Sequence, residues 1–168
     1  SDARIVSCDI LSNAGLGIDY ASSRSSVISS ILWNNDTNLL LRATPSDTSL
    51  RTNAIEGCIA LADTAVSDSS LADSLIVRLD SENDSPAGPR FILPGARGVE
   101  GWSSDNDWQL QEGSICINAG ERPIDAKSDG DLNRSLRQRQ GRVDIGCYES
   151  NFTTGISSAS VSQLTLAP

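Results

Sequence analysis

Three sets of residues in this 168-residue chain are of types and spacings that carry chemistry. Asp125, Asp129, Asp131 and Asn133 would offer oxygen ligands to Ca2+ from one loop, because a hard cation takes carboxylate and amide oxygens. Lys127 falls at position three of an EF-type loop, where a ligand is required, and no Glu stands at position twelve, which weighs the set towards a plain polar loop. Asp105 and Asp107 flank a turn beside Trp102 and Trp108, and indoles next to carboxylates suit a sugar ring. Glycoside hydrolysis further requires two carboxyls roughly 5 to 9 Å apart across a cleft. Cys8, Cys58, Cys116 and Cys147 lack C-x-x-C spacing, so a zinc reading is weak. Histidine is absent, which removes Ser-His-Asp and Cys-His catalysis and every His-containing zinc site.

The balance of charge narrows the partners. A net charge of −9, with 22 acidic residues against 13 basic ones, makes nucleic acid a poor partner, because phosphate binding needs a concentrated basic face. The cluster Arg134, Arg137, Arg139 and Arg142 reads as a salt-bridged polar loop. No run of about 18 apolar residues is present, so no membrane span is expected. An even cysteine count in an acidic, Ser-rich chain with a single lysine fits a secreted or cell-surface protein with one or two disulfides. Four N-x-S/T sequons, at Asn35, Asn83, Asn133 and Asn151, matter only in a eukaryotic secretory pathway. Methionine is missing even at position 1, and the chain is therefore expected to be a fragment or processed part of a larger protein.

The elements that must position these residues are short strands. Ile5–Asn13, Ser26–Asn34 and Ala54–Ala62 overlay as an imperfect repeat, with Val6, Val27 and Ile55 in one column and Ile10, Ile31 and Ile59 in another. Second strand-like runs, Gly15–Tyr20 and Asn38–Ala43, follow Asn-bearing turns. Units of some 20 to 30 residues with two or three strands and Asn at the corner are the pattern of a parallel β-helix. A β-sandwich is the alternative, but it predicts hairpin turns, and the one Asp-Gly, Asp129-Gly130, has no strand before it. The expected organisation is coils and a cap motif over 1–150, then a polar linker and a terminal edge strand over 151–168.

The second half resembles the C-terminal end of secreted bacterial right-handed parallel β-helix repeat proteins, whose last coils read like "LQPGSPCIDAG", "DLDGNPR" and "GRVDIGAYE". Four pieces match in order: Gly88–Pro94, Asn106–Gly120, Asp131–Arg137 and Gly141–Glu149. Ile115 replaces the usual Pro, Asn118 the usual Asp, and Arg134-Ser135-Leu136 the usual Gly-Asn-Pro turn. The resemblance implies an all-β fold, a right-handed parallel β-helix (solenoid) ending in a capping segment. In it Ile115, Ile117, Val143 and Ile145 would form neighbouring rungs at the end of the stack. Asp144 would accept backbone N–H groups, Arg137 would pair with Asp144 or Glu149, and Gly120 and Gly146 would sit where the chain turns or packs closely. Cys116 and Cys147, on strands brought side by side, would form a disulfide, leaving Cys8 and Cys58 out of register with each other.

The resulting expectation is a non-catalytic extracellular or cell-surface module, structural or adhesive, that needs no cofactor. Its partners would be missing coils or other chains of a surface assembly, and glycans where the tryptophans are used. Parallel β-helices also include polysaccharide lyases and glycoside hydrolases, and a carbohydrate-binding module is a third reading.

Overall fold

The computed structural model describes residues 3–22, 24–42, 50–51, 53–56, 59–61, 76–98, 103–121, 130–137 and 142–152. Among the described residues every regular element is a strand: β1 (Arg4–Val6), β2 (Asp9–Leu11), β3 (Leu16–Tyr20), β4 (Ser26–Ile28), β5 (Ile31–Trp33), β6 (Thr37–Leu41), β7 (Leu50–Arg51), β8 (Asn53–Glu56), β9 (Ile59–Leu61), β10 (Ile76–Leu79), β11 (Phe91–Leu93) and β12 (Asp107–Leu110). The first nine fall into three parallel sheets, ordered β1-β4-β7, β2-β5-β8 and β3-β6-β9, and β10 extends the second beyond β8. The chain thus visits three sheets in turn and lays each new circuit on the previous one.

Why the chain turns between sheets is written in its backbone. Ser7 and Ser29, immediately after β1 and β4, and Ser12 and Asn34, immediately after β2 and β5, all have φ between 50 and 59°. A single left-handed residue after a three-residue strand redirects the chain, and short polar side chains tolerate that conformation best. Such a bend strands backbone groups that must find partners. Asn35 Oδ1 accepts the Asn13 N–H at 2.9 Å, while Asn35 Nδ2 donates to the Ile10 carbonyl at 2.8 Å and to Asn38 Oδ1 at 2.7 Å. At the other corner Ser30 Oγ accepts from Cys8 N, Asn53 Oδ1 accepts from Ser30 N, and Asn53 Nδ2 donates to the Val27 carbonyl. Ser30, Asn35, Asn38 and Asn53 are all fully buried.

Register fixes what lies inside. Ile5, Val27 and Leu50 form one column, and Ile10, Leu32 and Ile55 another; Ile18 pairs with Leu39. Val27, Leu32, Leu39, Leu41, Leu50 and Ile55, with Ile18 and Tyr20, make a core drawn from all three sheets. The columns differ from the sequence overlay. Ile5, not Val6, faces Val27, and Ile55 pairs with Leu32 of the neighbouring sheet rather than with Val27. A one-residue slip turns every side chain to the opposite face, so aligning Val6 with Val27 matches apolar letters from opposite sides of one sheet, and aligning Ile55 with Val27 matches letters from different sheets.

The second sheet is buried on both faces. Leu32 joins the inner core, whereas its neighbours Ile31 and Trp33, with Ala54 and Leu79, join a second cluster containing Phe91, Leu110, Cys116, Ile117 and Ile145. Trp33 meets Phe91 edge-on at 5.9 Å, and Phe91 meets Trp108 likewise at 5.4 Å. β11 and β12 pair antiparallel with a bulge, and among the described residues after β10 the chain covers this face rather than adding parallel strands. Ile115, Ile117, Val143 and Ile145 accordingly lie outside any strand ladder apart from one antiparallel bridge, Gly120 to Val143. The expected end rungs are instead a lateral cover, because the exposed face of β2-β5-β8-β10 carries apolar residues that need burial.

The corner carboxamide carries more than its own packing. Asn35→Ala leaves buried backbone groups of the first circuit unpaired, and urea denaturation should register a loss of about 3 kcal/mol.

Candidate functional site

The residues with the most unusual surroundings lie where the terminal motif meets the first two circuits. Ser29, in its left-handed corner, donates its hydroxyl to the Glu121 carbonyl at 2.8 Å and accepts the Glu121 N–H at 2.7 Å, and its own carbonyl accepts from Gly146 N at 2.9 Å. Asp9, at the head of β2, reaches the same place. Its Oδ1 accepts the Cys147 N–H at 3.0 Å, and its Oδ2 lies 3.1 Å from Cys147 Sγ. Gly146, at φ 109°, makes this approach feasible: a Cβ there would stand 2.5 Å from Asp9 Oδ1 and 2.9 Å from Ile31 Cδ1.

Inside the motif, carboxylates organise backbone N–H groups. Asp144 Oδ1 accepts from Asn118 N and Oδ2 from Ser150 N, each at 2.7 Å. Asp131 Oδ1 accepts from Ser135 N at 2.7 Å and Oδ2 from Glu149 N at 2.9 Å. Glu149 Oε1 accepts the Asp144 N–H at 3.1 Å, whereas its Oε2 is buried without a hydrogen-bond partner. Burial, and then the Asp144 charge, push the Glu149 carboxyl up to about 8. Burial also raises Asp9 to about 6, against the pull of its Cys147 bonds and of Arg137.

These contacts locate the expected site residues. Asp144 accepts backbone N–H groups, as the motif implies, and Gly120 packs so closely that a Cβ would fall 2.7 Å from the Asp144 carbonyl oxygen. Arg137 differs from expectation: it donates to the Gly146 carbonyl at 2.6 Å and acts on Glu149 and Asp9 through space. The Cys116–Cys147 staple is not formed, and Cys8, Cys116 and Cys147 are free thiols. Ile145 N bonds to the Cys116 carbonyl, which puts Cys147 two residues further along with its sulfur at Asp9. Cys116 is fully buried, and burial pushes its thiol up to about 12.

The other candidates are dispersed. Trp102, Asp125, Asp129 and Cys58 lie outside the described residues. The Trp108 ring packs on Phe91, Asp105 is exposed, and Asp107 Oδ1 accepts from Gln109 N. Asn133 is exposed, in the turn that Asp131 closes onto Ser135. Among the described residues no group of three or more His, Cys, Asp or Glu is placed to hold a metal ion. Asp9 and Ser29 escaped the sequence reading. The available signal was an Asp in an otherwise apolar column, where the next circuits carry Ile31 and Ala54.

No protein-family model, curated protein or solved structure matches the chain. The chemical reading therefore rests on these side chains alone: they bind backbone and one another.

Two outcomes follow. The Glu149 carboxyl, ordinarily near 4.5, holds its proton to about 8 in the folded chain, so the folded state binds more protons between those values. Stability should fall as pH rises across that window, and Glu149→Gln should flatten the fall in a series of thermal melts. Gly146→Ala should lower stability by about 2 kcal/mol through backbone strain and collision with Asp9, as measured by chemical denaturation.

Proposed function

We propose that the chain is a run of coils of a right-handed parallel β-helix from a secreted or cell-surface protein, and that it serves as a structural or adhesive module without chemistry of its own. The observation that carries this reading is the open first circuit. β1, β2 and β3 are each the edge strand of their sheet, and all three would pair with a further parallel coil. Ile5 and Ile10 are partly buried, whereas Val27 and Leu32, directly beneath them, are sealed. Asn13, the first-circuit member of the corner ladder, is exposed above Asn35. The partners proposed are coils from the rest of a longer protein or from neighbouring chains.

A carbohydrate-active or carbohydrate-binding role draws less support, since Trp108 is engaged by Phe91, and Asp107, Asp131 and Asp144 accept backbone N–H groups. Sedimentation velocity over a wide concentration range should show self-association that Leu16→Lys, on the exposed end of β3, weakens. Incubation with acidic polysaccharides, with and without calcium, should give no cleavage; depolymerisation would overturn the reading.

A further inference from the structure

We infer that Asp9 is the proton-operated catch of a clasp: neutral, it holds residues 142–150 against the first two circuits, and ionised, it lets them lift while the circuits stay folded. The geometry singles out this residue. The Asp9 carboxyl is the described side chain of the first circuit that grips the motif, taking both the N–H and the thiol of Cys147. The second circuit grips through Ser29, whose hydroxyl bonds the backbone of Glu121. Gly146 brings the backbone down onto the same carboxyl and onto Ile31, which excludes water from one side of it.

What faces Asp9 is a poor environment for charge. Around it lie the thiols of Cys147 and Cys116, with Cys8 acting in turn on Cys147, and the Tyr148 hydroxyl. The cation that acts on it is Arg137, whose guanidinium is bonded to the Gly146 carbonyl. A neutral carboxyl keeps both contacts to Cys147, with Oδ1 accepting the N–H and Oδ2, in place of accepting from the thiol, donating its acid proton to sulfur. The two states therefore differ chiefly in the burden of a buried charge, which raises this carboxyl from 3.8 to about 6. The docked motif binds more protons than the lifted one between these values, so docking weakens as pH rises through them. Lifting would uncover Ile31, on which Gly146 packs, and Cys116, whose carbonyl holds Ile145 N. The chain would then present a new apolar surface near neutrality and conceal it in acid.

Hydrogen exchange on the full chain tests this, with rates corrected for the intrinsic effect of pH. It is best done in the Glu149→Gln background, which removes the neighbouring titratable carboxyl. Protection across 143–149 is expected to fall about tenfold between pH 5 and pH 7.5 while β4 to β6 hold theirs. Asp9→Asn keeps an Oδ1 acceptor and a neutral donor, and should hold the motif closed at both values. Asp9→Ala should leave it open at both, with the circuits still protected. Equal protection at the two pH values, a tenfold fall that survives Asp9→Asn, or loss of the circuits together with the motif would each overturn the inference.

Discussion

The structure depends on satisfying the backbone at its corners. Three-residue strands bring few ladder bonds each, and every bend between sheets exposes donors and acceptors inside a dry core. Asn35 answers this by gripping the preceding circuit with both ends of its carboxamide, and Asn53 repeats the device at the other corner. These bonds run between circuits, so they set the rise and the register together. Once Val27 is fixed over Leu50 and Leu32 over Ile55, the aliphatic columns close without further instruction.

A parallel stack would normally leave its outer faces to solvent, yet here one face is apolar. β5 contributes Leu32 to the inner core and Ile31 and Trp33 to the outer one, and the second half of the chain is folded to cover the latter. Beyond this apolar packing, the cover is anchored to the stack by polar groups: the Ser29 hydroxyl on the Glu121 backbone and the Asp9 carboxyl on Cys147. Polar docking of an apolar cover gives specificity of placement while making attachment sensitive to protonation. Of the carboxylates at this junction, Asp144 and Asp131 accept a backbone N–H on each oxygen, and the burden of burial falls on Glu149 in the motif and Asp9 in the first circuit.

Much of this was legible in the chain. The run Gly15–Tyr20 contains β3, the run Asn38–Ala43 overlaps β6 over Asn38–Leu41, and Asn at the corners bonds as expected. The register was not legible, because Ile5 and Val6, or Ile31 and Leu32, are interchangeable as letters, and only the left-handed Ser7 and Ser29 decide which one faces inward. The role of Asp144 could be read because a short acid beside a chain reversal has few options other than backbone N–H groups. The Arg137 partner could not, since its guanidinium suits a carbonyl as well as a carboxylate. By its letters the motif continues the stack, since nothing local in Ile115 to Ile117 distinguishes an end rung from a strap laid across the side.

Ser29 has one more implication. Through a single residue the second circuit holds both Glu121 and Gly146, while the next residue of the strap is held by Asp9 in the first circuit. The strap therefore spans one rung spacing, about 4.8 Å, and works as a gauge of it. Repeat proteins grow by duplicating units, but a unit duplicated between Asp9 and Ser29 would separate two anchors that must be grasped together. The first two circuits are in this sense a fixed pair within an otherwise extensible stack, and variation in length is confined to the circuits on either side of them.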